Sequence, residues 1–257
     1  MHPKKSLGQH WLHDEASLDA MVSAGDISAN DVVLEVGPGL GTLTKKLVKR
    51  AKQVVAVELD DILVTQVHNR VPADNLVVQH QDILQYDFTT LPKDYKVIAN
   101  IPYYLTSNLL RVLLESSNPP KTIVLLIQKE VAERIAASPG QMSILSVSVQ
   151  LYAEAELKEL VPAELFTPPP KVDSQIIQIK RRDQSLFDDL ENELFFKVVR
   201  AGFSEKRKKL RSSLSGGLQI SKSDVDKLLI KAEIASDARA QELTLEDWYR
   251  LTKHAIL

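Results

Sequence analysis

The sequence predicts an α/β fold, with a parallel sheet covered on both faces by helices and a small helical C-terminal domain after it. Three observations carry this. Short runs of apolar, largely β-branched residues recur at 32–36, 54–57, 76–78, 97–99 and 123–127. Stretches with helical spacing, such as 43–51 and 61–70, lie between several of them. Apolar strands alternating with helices indicate a sheet buried on both sides. After Arg181 the strand signal gives way to helical patterns alone.

The remaining elements follow in order. Residues 142–152 fit a helix or a strand by periodicity. Pro168, Pro169 and Pro170 interrupt any regular element, and SQIIQIK at 174–180 reads as a last strand. Residues 186–199, 206–214, 223–230 and 245–251 read as helices, with Gly216-Gly217 as a break. Ser221 and Thr244 stand where N-caps belong, and Glu246 and Asp247 occupy a first turn, where the helix dipole favours acids. The expected division is residues 1–180, headed by a segment that caps the ligand site, and a helical domain at 181–257.

Composition narrows the class. At 44% hydrophobic and 26% charged residues, the 257-residue chain is an ordinary globular one. No apolar run approaches the roughly 20 residues of a membrane helix, and the polar N-terminus lacks a secretory signal, so a cytoplasmic address without a membrane partner is expected. The lack of cysteine excludes disulfides, thiolate zinc sites and a cysteine nucleophile, and no metal site is expected. A net charge of −2 does not mark a nucleic-acid binder, and neither does the weak excess of 15 basic over 13 acidic residues from Arg181 onward.

The first chemical signal is Glu35-Val36-Gly37-Pro38-Gly39-Leu40-Gly41-Thr42, a strand running into a glycine turn and a helix. Gly37 and Gly39 let the backbone approach a ligand. Glu58, at the end of the second strand, can accept hydrogen bonds from ribose hydroxyls. A dinucleotide oxidoreductase is the rival, but the sixth fingerprint position is Thr42 rather than glycine, and Pro38 lacks an N–H for a pyrophosphate. Asp82 follows the third strand, as a ligand group or as a helix cap.

The second signal is Asn100-Ile101-Pro102-Tyr103, directly after the fourth strand. The amino nitrogen of adenine is a poor nucleophile because its lone pair is delocalised into the ring. An Asn oxygen and a neighbouring backbone carbonyl can accept its two hydrogens and shift the nitrogen towards a tetrahedral state. Pro102 stiffens the turn, and Tyr103 offers a stacking face for an extracted base. Taken alone, the tetrapeptide is equally a simple turn after a strand.

In this order the motifs resemble the rRNA adenine N6-dimethyltransferase family, in particular its bacterial small-subunit branch. The likeness runs nearly end to end. It includes Lys4-Lys5-Ser6-Leu7-Gly8-Gln9-His10-Trp11-Leu12, residues 35–44, Glu58, Asp82, the Asn100 tetrapeptide, Gln128-Lys129-Glu130-Val131-Ala132-Glu133-Arg134, residues 166–174 and residues 203–214. The resemblance implies a Rossmann-like methyltransferase domain, S-adenosylmethionine as donor, and dimethyladenosine at two adjacent adenines near the 3′ end of small-subunit rRNA. It also implies that Gly37 lines the donor site, Glu58 holds its ribose, Asp82 meets its adenine, and His10, Leu12 and Asn100 surround it.

The family usually has Asn at position 10 and Phe at 11, where this chain has His10 and Trp11, and often Gly where Gln81 stands. A neutral imidazole still donates one hydrogen bond, so His10 is either a donor-site contact or an ordinary surface histidine. Phe166 is expected near the target base or as a core residue under the proline turn.

Lys206, Arg207, Lys208, Lys209 and Arg211 place five cations in six residues on an expected helix, a candidate RNA phosphate contact. The expected partner is small-subunit rRNA in a ribosomal subunit or precursor, met by a monomer. Two other functions compete: a large-subunit adenine methyltransferase conferring antibiotic resistance, and a non-catalytic assembly or transcription factor of the same fold. Pro170-Lys171-Val172-Asp173-Ser174 and Ala238-Arg239-Ala240-Gln241-Glu242-Leu243 resemble the small-subunit branch more.

Overall fold

The computed structural model of the chain describes residues 9–205 and 208–255. In chain order the elements are β1 (Trp11–Leu12), α1 (Glu15–Ala24), β2 (Val32–Val36), α2 (Thr44–Leu47), β3 (Gln53–Glu58), α3 (Asp61–Arg70), β4 (Leu76–His80), β5 (Lys96–Asn100), α4 (Thr106–Leu114), β6 (Thr122–Gln128), α5 (Lys129–Ile135), α6 (Ile144–Gln150), β7 (Ala153–Val161), β8 (Phe166–Thr167), β9 (Ser174–Arg181), α7 (Asn192–Gly202), α8 (Leu210–Leu218), α9 (Lys222–Lys231) and α10 (Leu245–His254). They form two compact units. One holds the described residues up to Glu133 with Ala153–Arg181; the other holds Arg134–Tyr152 and the described residues from Arg182.

The first unit is built on a seven-stranded sheet of order β4-β3-β2-β5-β6-β9-β7. Alternate side chains of a strand face opposite ways. Val33, Val54, Ala56, Ile98 and Val124 pack with Leu18, Met21, Leu43 and Leu47 of the α1–α2 region. Their neighbours Leu34, Val55, Val57, Val97 and Leu125 are also buried. Both faces are therefore covered, which explains the near-continuous apolar strands in the sequence. The sheet is not wholly parallel, because β9 runs antiparallel to both β6 and β7. Such a pair needs no long crossover, and residues 162–173 suffice to connect β7 to β9. A separate two-stranded ribbon pairs Leu12 with Phe166 and Trp11 with Thr167.

The strand order reverses between β2 and β5, which lie side by side. Ligands of open α/β sheets bind at the carboxyl ends of the strands, at this switch point. The glycine turn follows β2, Glu58 ends β3, Asp82 follows β4 and Asn100 ends β5. Four separate motifs thereby arrive at one sheet edge.

The second unit is helical. Phe195, Val198, Leu214, Val225, Leu229 and Trp248 form its core, joined by Met142, Val147 and Leu151. Those last three explain a difference from the expected division. The break at Arg181/Arg182 coincides with the helical pattern, but 142–152 contributes an apolar helical stripe to the helical core. Ser143 caps α6 by accepting from the Ser146 N–H at 3.2 Å. Ser221 and Thr244 cap α9 and α10 as expected, accepting from Asp224 and Asp247 N–H, each at 3.1 Å.

Two expectations in this unit are corrected. Gly216-Gly217 does not break a helix but lies inside α8. A Cβ on Gly217 would come within 2.6 Å of the Ala201 Cα on α7, so the missing side chain permits close helix packing. The break falls two residues later, at Gln219 with φ +58°. Of the helix expected over 206–214, residues 206–207 lie outside the described residues, Lys208 is not helical, Lys209 is extended, and the described helix begins at Leu210. Clustered cations at a helix N-terminus oppose the macrodipole, which favours this later start.

Candidate active site

A cleft at the carboxyl edge of the sheet is lined by residues from all four motifs, among them His10, Leu12, Gly37, Gly39, Glu58, Asp82, Asn100, Ile101, Pro102 and Tyr103. Its volume is about 210 Å³. Gly37 has φ +65°, and no atom lies within 4 Å of where its Cβ would be. The turn therefore leaves open space above the end of β2. The Gly37 N–H donates to the Val57 carbonyl at 2.9 Å, which ties the turn to β3.

Glu58 is buried, and its carboxylate accepts from the N–H groups of Gly39 (3.2 Å), Leu59 (2.8 Å) and Asp60 (3.0 Å). A carboxylate has about four acceptor positions, so one remains for a ribose hydroxyl. Burial pushes its pKa up, the three backbone donors oppose that, and the Asp60 charge adds to it. Asp82 acts as the expected cap and also lines the cleft. One oxygen caps the turn after β4 by accepting from the Leu84 N–H at 2.9 Å.

The Asn100 amide nitrogen donates to the His10 carbonyl at 3.4 Å. This orients the Asn100 amide and leaves its oxygen as the acceptor for a substrate hydrogen. The Pro102 carbonyl accepts from the Leu105 N–H at 3.0 Å, which closes the turn after β5. The Tyr103 hydroxyl is hydrogen-bonded to Ser174 Oγ at 2.7 Å, which fixes the ring. Burial raises the Tyr103 pKa, opposed by Ser174 and reinforced by Asp173, and keeps the ring neutral.

The side chain of His10 is held within the protein, and of the two places open to Phe166 the structure shows the core one. The His10 ring donates from Nδ1 to the Pro168 carbonyl at 2.7 Å and stacks against Tyr103 with a centroid separation of 5.9 Å. Its one N–H in the neutral state is thus spent within the protein, and what His10 offers the site is its backbone carbonyl on Asn100. Phe166 is 2% exposed and packs in the core with Leu12 rather than on the cleft. Its pairing in the ribbon with Leu12 turns it inward.

No sequence pattern singles out Glu35, Ser174 or Tyr104. Glu35 and Ser174 sit inside recognisable motifs as spacers. Tyr104 is 63% exposed on the cleft rim, and an aromatic beside Tyr103 is the one signal that could have found it.

Among the described residues no lysine or arginine lines the cleft, whereas Glu35, Glu58 and Asp82 do. Such a lining suits a cationic nucleoside and opposes a pyrophosphate. The open cradle over Gly37 and the free acceptor position on Glu58 fit the same ligand. Fold and site together define an S-adenosylmethionine-dependent methyltransferase acting on an amino nitrogen.

The family is narrower. The model of the ribosomal RNA adenine dimethylase family matches residues 1–256, and the chain belongs to this family. It is 41% identical to the ribosomal RNA small subunit methyltransferase A of Dehalococcoides mccartyi, over 98% of this chain and 88% of that protein. It is 38% identical to the protein of that name from Clostridioides difficile, over 95% and 88% of the two chains. Among solved structures, a dimethyladenosine transferase from Plasmodium falciparum superimposes with a TM-score of 0.81 at 28% identity, covering 94% of this chain and 96% of that one. The 23S rRNA methyltransferase ErmE gives 0.78 at 28% identity, covering 95% and 98%. The two structures match this chain about equally well in shape and in identity, so neither measure tells them apart.

Proposed function

We propose that this protein transfers methyl groups to N6 of two adjacent adenosines near the 3′ end of small-subunit rRNA, giving N6,N6-dimethyladenosine during ribosome biogenesis. The carrying observation is Asn100, locked through its amide nitrogen and set beside Tyr103 at the edge of an acidic nucleoside cleft. The donor, when bound, supplies a methyl on a positively charged sulfur that leaves as a neutral thioether. The chain's own residues do the rest. Asn100 Oδ1 and the Ile101 carbonyl accept the two amino hydrogens and free the nitrogen lone pair. Tyr103 stacks the base and Pro102 fixes the turn. The nitrogen bonds the methyl carbon as the carbon–sulfur bond breaks, and the surplus proton passes to water. Positioning of this kind supplies up to roughly 7–11 kcal/mol.

Relatives named for the small subunit, at about 40% identity, favour that target over a large-subunit adenine. The retained Asn100 and Glu58 geometry favours turnover over a purely non-catalytic factor. The test is to map dimethyladenosine in rRNA from cells with and without the protein. Two adjacent dimethyladenosines in small-subunit rRNA should depend on it. A dependent mark on a large-subunit adenine would overturn the assignment, and no dependent mark would favour the assembly factor.

The proposal includes a monomer working in the cytoplasm on a ribosomal subunit or precursor. It also assigns methyl transfer to residues 1–180 and RNA contact to residues 181–257. No helix among the described residues is long and apolar enough to cross a membrane. Of the basic cluster, Lys206 and Arg207 lie outside the described residues. Lys208 and Lys209 are exposed, whereas Arg211 is held in a two-pronged pair with Asp226 at 2.5 and 2.6 Å. Arg181 is likewise paired, with Asp94 at 2.7 Å. Replacing Arg207, Lys208 and Lys209 with Ala should weaken rRNA binding and leave donor binding intact. The logarithmic salt slope should shrink by about 0.7 for each single-strand phosphate that the variant no longer neutralises. An unchanged slope and affinity would make the cluster a solvated face.

A further inference from the structure

Tyr104 is an aromatic ring on the rim of the cleft that the transfer step does not use. It follows Tyr103 in the turn Tyr103–Leu105, which leads from β5 into α4, and it is 63% exposed. Among the described residues its hydroxyl has no hydrogen-bond partner and its ring no aromatic neighbour. The backbone on either side of it is nevertheless held. The Leu105 N–H donates to the Pro102 carbonyl, and the Thr106 hydroxyl to the Tyr103 carbonyl, each at 3.0 Å. The Tyr103 hydroxyl, by contrast, is tied to Ser174. One tyrosine is thus fixed at the reaction site, and the next presents its ring at the edge on a rigid turn.

The surface beyond Tyr104 continues along α4. Ser107, Asn108 and Arg111 are exposed and follow it by three, four and seven residues, the spacing of one helix face. Arg111 has no ion pair among the described residues. A flat ring leading into hydroxyl, amide and guanidinium groups suits a nucleotide, with its base, sugar and phosphate, better than an apolar protein partner.

We infer that Tyr104 is the stacking platform for the nucleotide beside the target, that is, for the other adenosine of the pair. The inference rests on the small-subunit rRNA reading. One Asn100 serves one base at a time, so the second adenosine waits outside the reaction site. Drawing the target base out costs its neighbour a stacking partner. Tyr104 replaces that partner, one residue from the ring that holds the target. Its side chain has two torsions to fix and its backbone is already fixed, so little freedom is lost on stacking. Tyr104 touches no reacting atom and is a positioning residue.

The test measures methyl transfer to small-subunit particles, mapped separately at each adenosine, with S-adenosylmethionine affinity measured by calorimetry in parallel. Tyr104→Ala should lower kcat/KM for the particle by about five- to a hundredfold and leave donor affinity unchanged. Tyr104→Phe should keep the parental value, and Tyr104→Leu should not. Particles reconstituted with an abasic nucleotide in place of either adenosine in turn give the specific readout. With at least one of them, the wild-type protein should lose as much at the remaining adenosine as Tyr104→Ala loses on the intact particle. Tyr104→Ala should lose nothing further there. Losses that multiply overturn the inference, and so does a wild-type protein indifferent to both abasic particles, a result that needs no variant to fold. Parental kcat/KM in Tyr104→Ala, or donor affinity that falls in step with transfer, overturns it too. A wild-type protein that methylates neither adenosine of the intact particle rejects the small-subunit reading itself, and the platform with it.

Discussion

Asn100→Ala is expected to lower methyl transfer by about a hundred- to a thousandfold, the loss typical when one preorganised hydrogen-bonding group is removed from a reaction site. The substitution deletes the acceptor for an amino hydrogen and returns the adenine nitrogen to its delocalised, weakly nucleophilic state. It also removes the donor to the His10 carbonyl. Single-turnover transfer to small-subunit particles, with donor binding measured in parallel, checks this. The effect should fall mainly on the transfer rate. A variant that transfers at the parental rate would show that the amino group is activated elsewhere.

Glu58→Ala is expected to weaken S-adenosylmethionine binding by about ten- to a hundredfold, since a hydrogen bond to a charged group is worth roughly 1.5–3 kcal/mol. The same change strips the acceptor from the Gly39, Leu59 and Asp60 N–H groups. The turn over the cleft then loses its anchor, so a lower melting temperature should accompany the weaker binding. Calorimetry beside a thermal melt separates the two. Unchanged donor affinity in a folded variant would remove Glu58 from the ribose site.

How much of the fold and site is legible from sequence depends on whether a signal is local. Strands β2, β3, β5 and β6 announce themselves because residues such as Val33, Leu34, Val54 and Val55 are buried on both faces and leave no polar alternation, whereas β4, at the sheet edge, is apolar in sequence but only partly buried. β7 gives no such signal, for the opposite reason. It is an edge strand with Glu154, Glu156, Lys158 and Glu159 among its side chains, and charge is how an exposed edge is kept from pairing further. Gly217 reads as a helix breaker because the close approach of Ala201, 16 residues earlier, cannot be seen from its neighbours. The Glu58 and Asn100 motifs are readable as local strand ends. The Asn100–His10 link and the Tyr103–Ser174 bond join residues 90 and 71 positions apart, and no spacing rule encodes them. Arg211 looks available for RNA until the fold supplies Asp226.

The ribbon that pairs Trp11 and Leu12 with Phe166 and Thr167 bears on when activity can first appear during synthesis. His10, whose carbonyl holds Asn100, is itself fixed by this ribbon and by the Pro168 carbonyl. The glycine turn, Glu58, Asp82 and Asn100 all leave the ribosome well before residue 168. A growing chain therefore presents all four motifs before the strand that pairs with Trp11 and Leu12, themselves part of the cleft wall, has emerged. The wall of the cleft is thus completed last, by an order written into the connectivity of the chain.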